Sequence, residues 1–412
     1  MDYRAYAQDM LKFINSSPCG VWAVNNGIEM LKNAGFCEYT GEAETGSKYY
    51  IQRGGTALAA FIKGGEKGQL RIGAAHADSP AIMIKPQCEI INEGTYVRLN
   101  AEIYGGAILS TWLDRPLGIA GRVMLKSGKI MPDVKLYKSN RPLCIIPNCA
   151  PHLNKEINNG FVYNKQRDML PLISLNPQIK LKEIIADDLG IEAESILDYE
   201  LYCYDVSEGI VMGADEDMLS VGRLDDLMMC YSLLRAICEA DTENTALVLL
   251  TDNEEVGSLS LGGARGNFPT EVIKVVVGNN YSDKLKNAVA FSADLAHAVN
   301  PSHPELHEPL SRPYINRGMV LKRAANKGYS TDGISGAVFK NICDMAGLSY
   351  QEFVNPSDRP GGTTIGPMLS AVLGISVADI GAPIMSMHSI RELGGIRDAG
   401  DSYLLFKALF EI

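Results

Sequence analysis

Polar side chains gather where apolar runs of the sequence end. The clearest case is the segment TDNEEVGS, which includes Glu254 and Glu255 and follows the most apolar run of the chain, 245–251. Acceptor groups at the end of a buried parallel strand are costly unless a cation or a substrate occupies the site. Adjacent glutamates allow a division of labour, in which one carboxylate binds a metal and the other handles protons. A solvated loop is the alternative interpretation.

Four further segments place a carboxylate or an imidazole after an apolar run or at the start of a helix. They are HADSP with His76 and Asp78, GRLDDL with Asp225, SADLAH with Asp294, and MHSIRE with His388. Each segment alone is ambiguous, because a histidine at a strand end is often structural and acidic residues suit helix N-termini as caps. Residues two apart in an extended segment face the same way, so Asp78 could orient His76.

Together the five segments supply two histidines and at least three carboxylates. This set is typical of a two-metal hydrolase, in which a bridging carboxylate joins two divalent ions that activate water. Mixed imidazole and carboxylate ligands favour Zn²⁺, Co²⁺ or Mn²⁺ over Ca²⁺ or Mg²⁺. The pattern therefore predicts a metal-dependent hydrolase.

The elements that must position these residues form two patterns. Residues 1–87 and 213–412 contain strand-like runs and helical patterns, typical of an α/β sheet with covering helices. Residues 88–212 contain short alternating segments separated by proline, glycine and asparagine, which indicate a separate β-rich unit. The predicted helices are 3–14, 21–34, 181–189, 225–239, 331–346, 364–373 and 402–412. The predicted strands are 57–62, 70–75, 81–84, 95–99, 117–125, 142–146, 201–206, 245–251, 289–293, 319–321 and 376–380.

Composition excludes several classes of protein. The 412 residues exceed one ordinary domain, and the net charge of -11 argues against nucleic acid as a partner. The N-terminus lacks the basic start and apolar run of a signal peptide, and no run of about 18 apolar residues could span a membrane. The nine cysteines contain no CxxC pair and favour reduced thiols. We therefore expect a cytoplasmic protein with neither a nucleic acid nor a membrane partner.

The ordered set HADSP, GRLDDL, TDNEEVGS, SADLAHAVNP and MHSIRE, together with GGTTIGP at 361–367, resembles the M18 family of metalloaminopeptidases, the aspartyl aminopeptidases. The resemblance implies an α/β/α sandwich with a mixed sheet, interrupted by a β-rich dimerisation domain. It implies an aminopeptidase that removes the N-terminal residue, preferably Asp or Glu, from short peptides. It also implies a homodimer as the building block of a homododecamer whose active sites lie inside a chamber.

The resemblance implies two divalent metal ions per chain, zinc first, with cobalt or manganese as alternatives. His76 and Asp294 would bind one ion, and Glu255 and His388 would bind the other. Asp225 would bridge both ions. The resemblance also implies that Glu254 would be the general base, which takes a proton from the metal-bound water.

The resemblance also implies the remaining site residues. Asp78 would lie behind His76, and Lys322 would meet an acidic side chain of the substrate. Gly362 and Thr363 would bind substrate within the GGTTIGP segment. For Lys322, the alternative is a solvated lysine at a strand end.

His152 carries a further prediction from the family. Its segment, IPNCAPH, differs from the family's pattern at Pro151, and the family histidine at this motif crosses the dimer interface to the neighbour's active site. There an imidazole could donate a hydrogen bond to the developing oxyanion. An ordinary loop histidine is the alternative. A second departure is Asp226, which replaces the asparagine that the family usually has after the bridging aspartate.

Other functions remain open at this stage. A related two-metal aminopeptidase with broader or non-acidic specificity would carry the same ligands. A catalytically silent scaffold would be expected to lack some of them, whereas the five predicted metal ligands and Glu254 are all present. The remaining histidines, His297, His303 and His307, fit no standard metal spacing, and we expect structural or supporting roles for them.

Overall fold

The computed structural model describes residues 1–278, 281–359 and 361–412. The chain divides into two compact units: Met1–Asp78, Gly209–Met387 and Glu392–Ile412 form the first, and Ser79–Glu208 and His388–Arg391 form the second. The domain boundaries at 87 and 212 and the dimerisation role stay predictions. Within the described residues, no helix is long and apolar enough to cross a membrane.

The helices and strands have the following bounds. The helices are α1 Tyr3–Ser16, α2 Gly20–Asn33, α3 Lys165–Asp168, α4 Leu181–Leu189, α5 Leu224–Glu239, α6 Phe268–Val277, α7 Tyr281–Lys286, α8 Gly333–Ala346, α9 Ile365–Leu373 and α10 Ile396–Glu411. The strands are β1 Cys37–Glu38, β2 Lys48–Arg53, β3 Ala57–Ile62, β4 Leu70–His76, β5 Ala81–Asn92, β6 Tyr96–Tyr104, β7 Leu117–Leu125, β8 Asp133–Lys138, β9 Leu172–Ser174, β10 Ile196–Asp205, β11 Ile210–Met212, β12 Met218–Val221, β13 Thr245–Thr251, β14 Val289–Ala293, β15 Ala296–His297, β16 Met319–Arg323, β17 Tyr350–Val354, β18 Val377–Gly381, β19 Pro383–Ile384 and β20 Glu392–Gly395.

A mixed sheet of nine strands runs through the described part of the first unit, in the order β1-β2-β3-β13-β4-β14-β18-β16-β17. Strand β4 lies between β13 and β14 and is parallel to both. Every residue of β4 and β13 is buried, as expected for strands covered on both faces. The carboxyl ends of these parallel strands therefore lie at one edge of the sheet, where the polar segments begin.

Helices cover both faces of this sheet, which confirms the predicted α/β/α sandwich with a mixed sheet. One apolar core includes residues of α1, α2, α5, α8 and α10, and another includes residues of α6 and α9. Helix α5 approaches β4 closely at Gly73, where an added Cβ would lie 2.2 Å from a methyl carbon of Leu233. Glycine at this position lets the helix pack against the strand.

The second unit contains a six-stranded antiparallel sheet in the order β8-β7-β10-β5-β6-β9, with its own apolar core. The β-rich character expected from the sequence is present. The predicted strand at 142–146 is wrong: this segment makes only isolated bridges, Leu117 with Cys144 and Ile145 with Leu172. Prolines at 142 and 147 bracket the segment, and they lack the N–H groups that a continuous ladder needs.

The first unit contains elements that the sequence patterns did not predict. Helix α6 reads FPTEVIKVVV, and its β-branched residues obscure the helical period. Helix α10 begins at Ile396, six residues before the predicted start, and its first turns are buried and contain Asp398 and Asp401. Buried acidic residues lower the apparent hydrophobicity of this turn, so the pattern starts late.

Candidate active site

The predicted site begins where three neighbouring strands end. Strand β4 ends at His76, which pairs in register with Thr251 at the end of β13. The segment with Glu254 and Glu255 follows β13, and Asp294 follows β14 directly. This arrangement explains why residues distant in sequence meet, since parallel strands end at the same edge of the sheet.

The side chains at this edge form a cluster of possible metal ligands. Ligand atoms of His76, Asp225 and Asp294 all lie within 4.8 Å of one another, and so do those of His76, Glu254 and Glu255. The Nε2 atom of His76 lies 3.4 Å from Oδ1 of Asp225. An imidazole nitrogen beside carboxylate oxygens is a donor set that zinc accepts. The residues present therefore fit a divalent metal ion.

Asp78 orients the cluster from behind. Its backbone carbonyl oxygen lies 3.0 Å from Nδ1 of His76, so this nitrogen donates and Nε2 faces the carboxylates. Its carboxylate accepts hydrogen bonds from the backbone N–H groups of Glu254 at 3.1 Å and Glu255 at 3.2 Å. One buried aspartate thus fixes both the imidazole and the glutamate pair, as supporting residues of metal sites do.

Two supporting residues, Glu392 and Cys230, were missed as individual predictions, and Asp226 was noted only as a departure from the family's pattern. The N–H of Asp225 donates to Oε2 of Glu392 at 3.1 Å, and the thiol of Cys230 donates to the carbonyl of His76 at 3.0 Å. Asp226 is fully buried, and its Oδ2 accepts from the N–H of His76 at 3.2 Å. Glu392 ends the MHSIRE motif and Cys230 lies one helical turn after Asp226, so the available signal was their spacing from the predicted ligands.

The concentration of buried acids shifts their pKa values. Burial raises the pKa of Glu254 to about 7; the charge of His76 opposes the rise, and Asp294 and Asp225 add to it. Burial raises the pKa of Asp294 to about 6, against the opposing charge of Lys322. Burial also raises the pKa of Asp226 well above its usual range. So many carboxyl groups ionise together in a buried site only if cations balance them, which again fits bound metal.

For His76, the neighbouring acids affect the pKa more strongly than burial does. Burial lowers its pKa, but hydrogen bonds to Asp225 and Asp78 and the charge of Asp226 outweigh burial and raise the pKa well above its usual range. The acidic surroundings thus favour positive charge on the imidazole of His76. A metal ion at Nε2 would take the place of the proton.

Lys322 lies beside the cluster and is only 2% exposed. Its Nζ donates to the carbonyl oxygens of Asp294 at 2.8 Å and Leu295 at 3.2 Å, and lies 3.6 Å from Oδ2 of Asp294. It also lies 5.3 Å from the ring centre of Tyr329. The ammonium group is bound to protein oxygens, and its predicted contact with substrate stays a prediction.

The remaining predicted residues are Gly362, Thr363, His388 and His152. Gly362 and Thr363 are exposed, in the loop before α9. His388 and His152 belong to the second unit. There, Nδ1 of His388 lies 3.2 Å from the carbonyl oxygen of Gly106, and His152 is exposed in an irregular segment. The roles predicted for these four residues stay predictions.

A cavity of about 280 Å³ lies in the first unit. It is lined by basic, amide and apolar side chains: His297, Ala298, Asn300, Leu306, His307, Phe353, Asn355, Pro356, Arg359, Ile384, Met385 and Ser386. His297 follows the candidate ligand Asp294 by three residues. One residue of the cavity wall therefore lies close in sequence to a candidate metal ligand.

The chain is similar to known proteins over nearly its whole length. The family model for "Aminopeptidase I zinc metalloprotease (M18)" matches residues 13–410. A protein of Clostridium novyi (strain NT), named as an M18 family aminopeptidase 2, is 39% identical and covers 99% of both chains. A relative of the same name from Clostridium acetobutylicum is 39% identical over 95% of both chains.

Solved structures agree with the fold. Ape4 in its complex with Nbr1 superposes with a TM-score of 0.92 at 31% identity, covering 99% of this chain and 86% of that one. The mApe1 dodecamer of S. cerevisiae gives a TM-score of 0.87 at 26% identity, covering 100% of this chain and 97% of that one. The family match over nearly the whole chain confirms the resemblance and a metal-dependent aminopeptidase activity. This chain belongs to the M18 family of zinc metalloaminopeptidases.

Proposed function

We propose that this chain is a two-metal aminopeptidase that removes an N-terminal Asp or Glu from short peptides. The observation that carries the proposal is the buried cluster at the sheet edge, where His76, Asp225 and Asp294 offer ligand atoms within 4.8 Å of one another. Without bound cations, the carboxyl groups of this cluster would outnumber the positive charges of His76 and Lys322. A site for divalent cations accounts for its composition.

Two ions would be bound by five residues. His76 and Asp294 would bind the first ion, Glu255 and His388 the second, and Asp225 would contribute to both. Zinc is the first choice, and cobalt or manganese would accept the same donors. When bound, the ions would polarise the peptide carbonyl and acidify water.

Glu254 is the proposed general base. It takes one proton as the water oxygen bonds to the carbonyl carbon, and it returns that proton to the amine when the carbon–nitrogen bond breaks. Partial burial raises its pKa to about 7, which is near the working pH of a general base. The hydrogen bond from its N–H to Asp78 fixes its backbone for this task.

The preference for acidic residues rests on positive charge near the cavity. Arg359 lines the cavity, and Lys322 lies beside Asp294. Surrounding acids raise the pKa of Lys322 despite the lowering effect of burial, so this lysine is charged at neutral pH. The apolar side chains of Leu306 and Phe353 in the same wall favour the second candidate, an aminopeptidase of broader specificity.

Assembly is proposed from a relative. The mApe1 structure is a dodecamer. We propose that this chain forms a homodimer as the building block of a homododecamer, which would restrict access to short peptides. His152 would then reach the active site of a neighbouring subunit and donate a hydrogen bond to the oxyanion.

The test is a panel of Asp, Glu, Leu and Lys anilides, assayed after chelation and reloading with zinc, cobalt or manganese. We expect no turnover without metal and the fastest turnover for Asp and Glu. Arg359→Ala should slow the acidic substrates more than the Leu substrate, whereas Arg235→Ala, which removes an exposed helical arginine, should affect neither. A wild-type preference for Leu or Lys would contradict acidic specificity, and full activity after chelation would contradict the metal mechanism.

A further inference from the structure

A fully buried carboxylate outside the metal cluster bonds to two separate loops. Asp379 lies in the middle of β18 and has no exposed surface. Its Oδ1 accepts a hydrogen bond from the hydroxyl of Thr364 at 2.6 Å. Its Oδ2 accepts from the hydroxyl of Ser330 at 2.7 Å and from the N–H of the same residue. Its own N–H donates to Oγ1 of Thr331 at 2.8 Å.

The hydrogen-bond partners of Asp379 lie at the ends of two loops. Ser330 and Thr331 close the loop between β16 and α8, and Thr364 closes the loop between β17 and α9. The hydroxyl of Thr364 also accepts from the N–H of Gly366 at 3.3 Å, as the N-cap of α9. An added Cβ on Gly366 would lie 2.3 Å from Oδ1 of Asp379, so glycine leaves room for the carboxylate. The residues around Asp379 thus leave room for its carboxylate and supply hydrogen-bond donors to it.

One of these loops lines the cavity, and the other packs against its wall. Asn355, Pro356 and Arg359 line it, and all three precede Thr364 in the same loop. In the other loop, the Tyr329 ring lies 6.2 Å from the ring of Phe353, which also lines the cavity. Hydrogen bonds to a carboxylate are roughly twice as strong as those between neutral groups, so Asp379 restrains the loop ends strongly.

We infer that Asp379 is a positioning residue for the substrate side chain: through Thr364 it holds the loop that lines the cavity, and through Ser330 the loop that packs against the cavity wall, in their binding geometry. The inference rests on the proposed function, because it takes this cavity as the one that receives the substrate side chain. Asp379 does not touch the reacting atoms. Its loss should therefore weaken binding and spare the chemical step.

The experiment compares Thr364→Val, which removes the hydroxyl while nearly conserving shape, with Thr364→Ser, which keeps the hydroxyl. Asp379→Asn removes the charge of the carboxylate that accepts this hydrogen bond. Thr364→Val should raise KM for the preferred anilide about tenfold, with kcat and metal content within about twofold of wild type. Thr364→Ser should restore KM, and Asp379→Asn should raise it. Hydrogen exchange in the loop after β17 should increase in Thr364→Val and Asp379→Asn.

Ser370→Ala is the matched control in the same helix. It removes a hydroxyl that donates to the carbonyl of Ile375 at 2.7 Å, at the opposite end of α9. Its KM and its hydrogen exchange in the loop after β17 should equal those of wild type. A rise in KM in Ser370→Ala equal to that in Thr364→Val, or no rescue by Thr364→Ser, would overturn the inference. Unchanged loop exchange in both Thr364→Val and Asp379→Asn would also overturn it, and this readout needs no substrate. Wild-type protein that hydrolyses no anilide would instead contradict the proposed function.

Discussion

At the scale of single residues, the proposed mechanism assigns two different tasks to the neighbours Glu254 and Glu255. The N–H groups of both donate to one aspartate, so their backbones are fixed together while their carboxylates join the cluster. A carboxylate that binds a metal tightly is a poor proton acceptor. The pair therefore allows one residue to remain a base beside an occupied metal site.

Glu254→Gln should abolish most turnover without loss of metal. The amide keeps the size of the side chain but cannot accept the proton of the attacking water. We expect kcat to fall about 10²–10⁴-fold, with metal content unchanged by elemental analysis. Near wild-type turnover by this variant would contradict the assignment of the base.

The principal residues of this cluster were predictable because their chemistry is local. A carboxylate at the end of a buried strand is costly unless a cation or a substrate occupies the site, so the five short segments together predicted that Asp294 and Glu255 lie near His76. Cys230 and Glu392 were not predicted, because their function is to bond backbone groups of His76 and Asp225. Such contacts depend on how α5 packs, and a side-chain inventory does not contain that information.

At the scale of elements, α10 begins with a buried acid that the sequence did not identify. Asp398 is fully buried and accepts from the N–H groups of Asn316 and Gly318. Burial raises its pKa to about 7, although these two hydrogen bonds oppose the rise. The helix therefore starts with a carboxyl group that binds a proton more tightly when the chain is folded.

This environment predicts a pH-dependent difference in stability. The folded pKa is raised, so the contribution of Asp398 is full below its ordinary pKa of 3.8 and is lost as pH rises through about 7. Asp398→Asn cannot ionise. From pH 5 to pH 8, the variant should gain about 3 kcal/mol in the free energy of unfolding relative to wild type.

Chemical denaturation of both proteins at several pH values measures this difference. Asp283→Asn, which alters an exposed acid in α7, should follow wild type at every pH. A difference between Asp398→Asn and wild type that does not change with pH would contradict the raised pKa.

Element prediction succeeded where pattern and burial agree. The runs at 57–62 and 245–251 are strands with every residue buried. It failed where buried polar groups interrupt the pattern, as in the first turns of α10, and where β-branched residues form a helix, as in α6. In both cases tertiary packing overrides the local preference.

At the scale of the whole molecule, the proposed assembly makes each active site depend on a neighbour. His152 is exposed in the second unit, in a segment without helix or strand. An imidazole supplied by another subunit cannot be identified from one chain's periodicity, because the interface that positions it lies between chains. The family resemblance alone suggested this role.

Mixing experiments test this dependence. His152→Ala should lower kcat with unchanged metal content and assembly, since an oxyanion donor contributes about 2.7–4 kcal/mol. Mixed with Glu254→Gln chains, it should recover partial activity, because some hybrid sites would contain both an intact base and an intact histidine. Verified subunit exchange without recovery would show that His152 does not act across an interface.

The number of metal ions per chain tests the central claim most directly. Chelated protein should be titrated with zinc, and bound metal and anilide turnover should be measured on the same samples, with Asp225→Asn alongside. Our account predicts that wild type binds two ions per chain and gains activity as they load, whereas Asp225→Asn loses occupancy because the shared carboxylate has lost its charge. Full wild-type activity with no bound metal, or two ions per chain in Asp225→Asn, would contradict it.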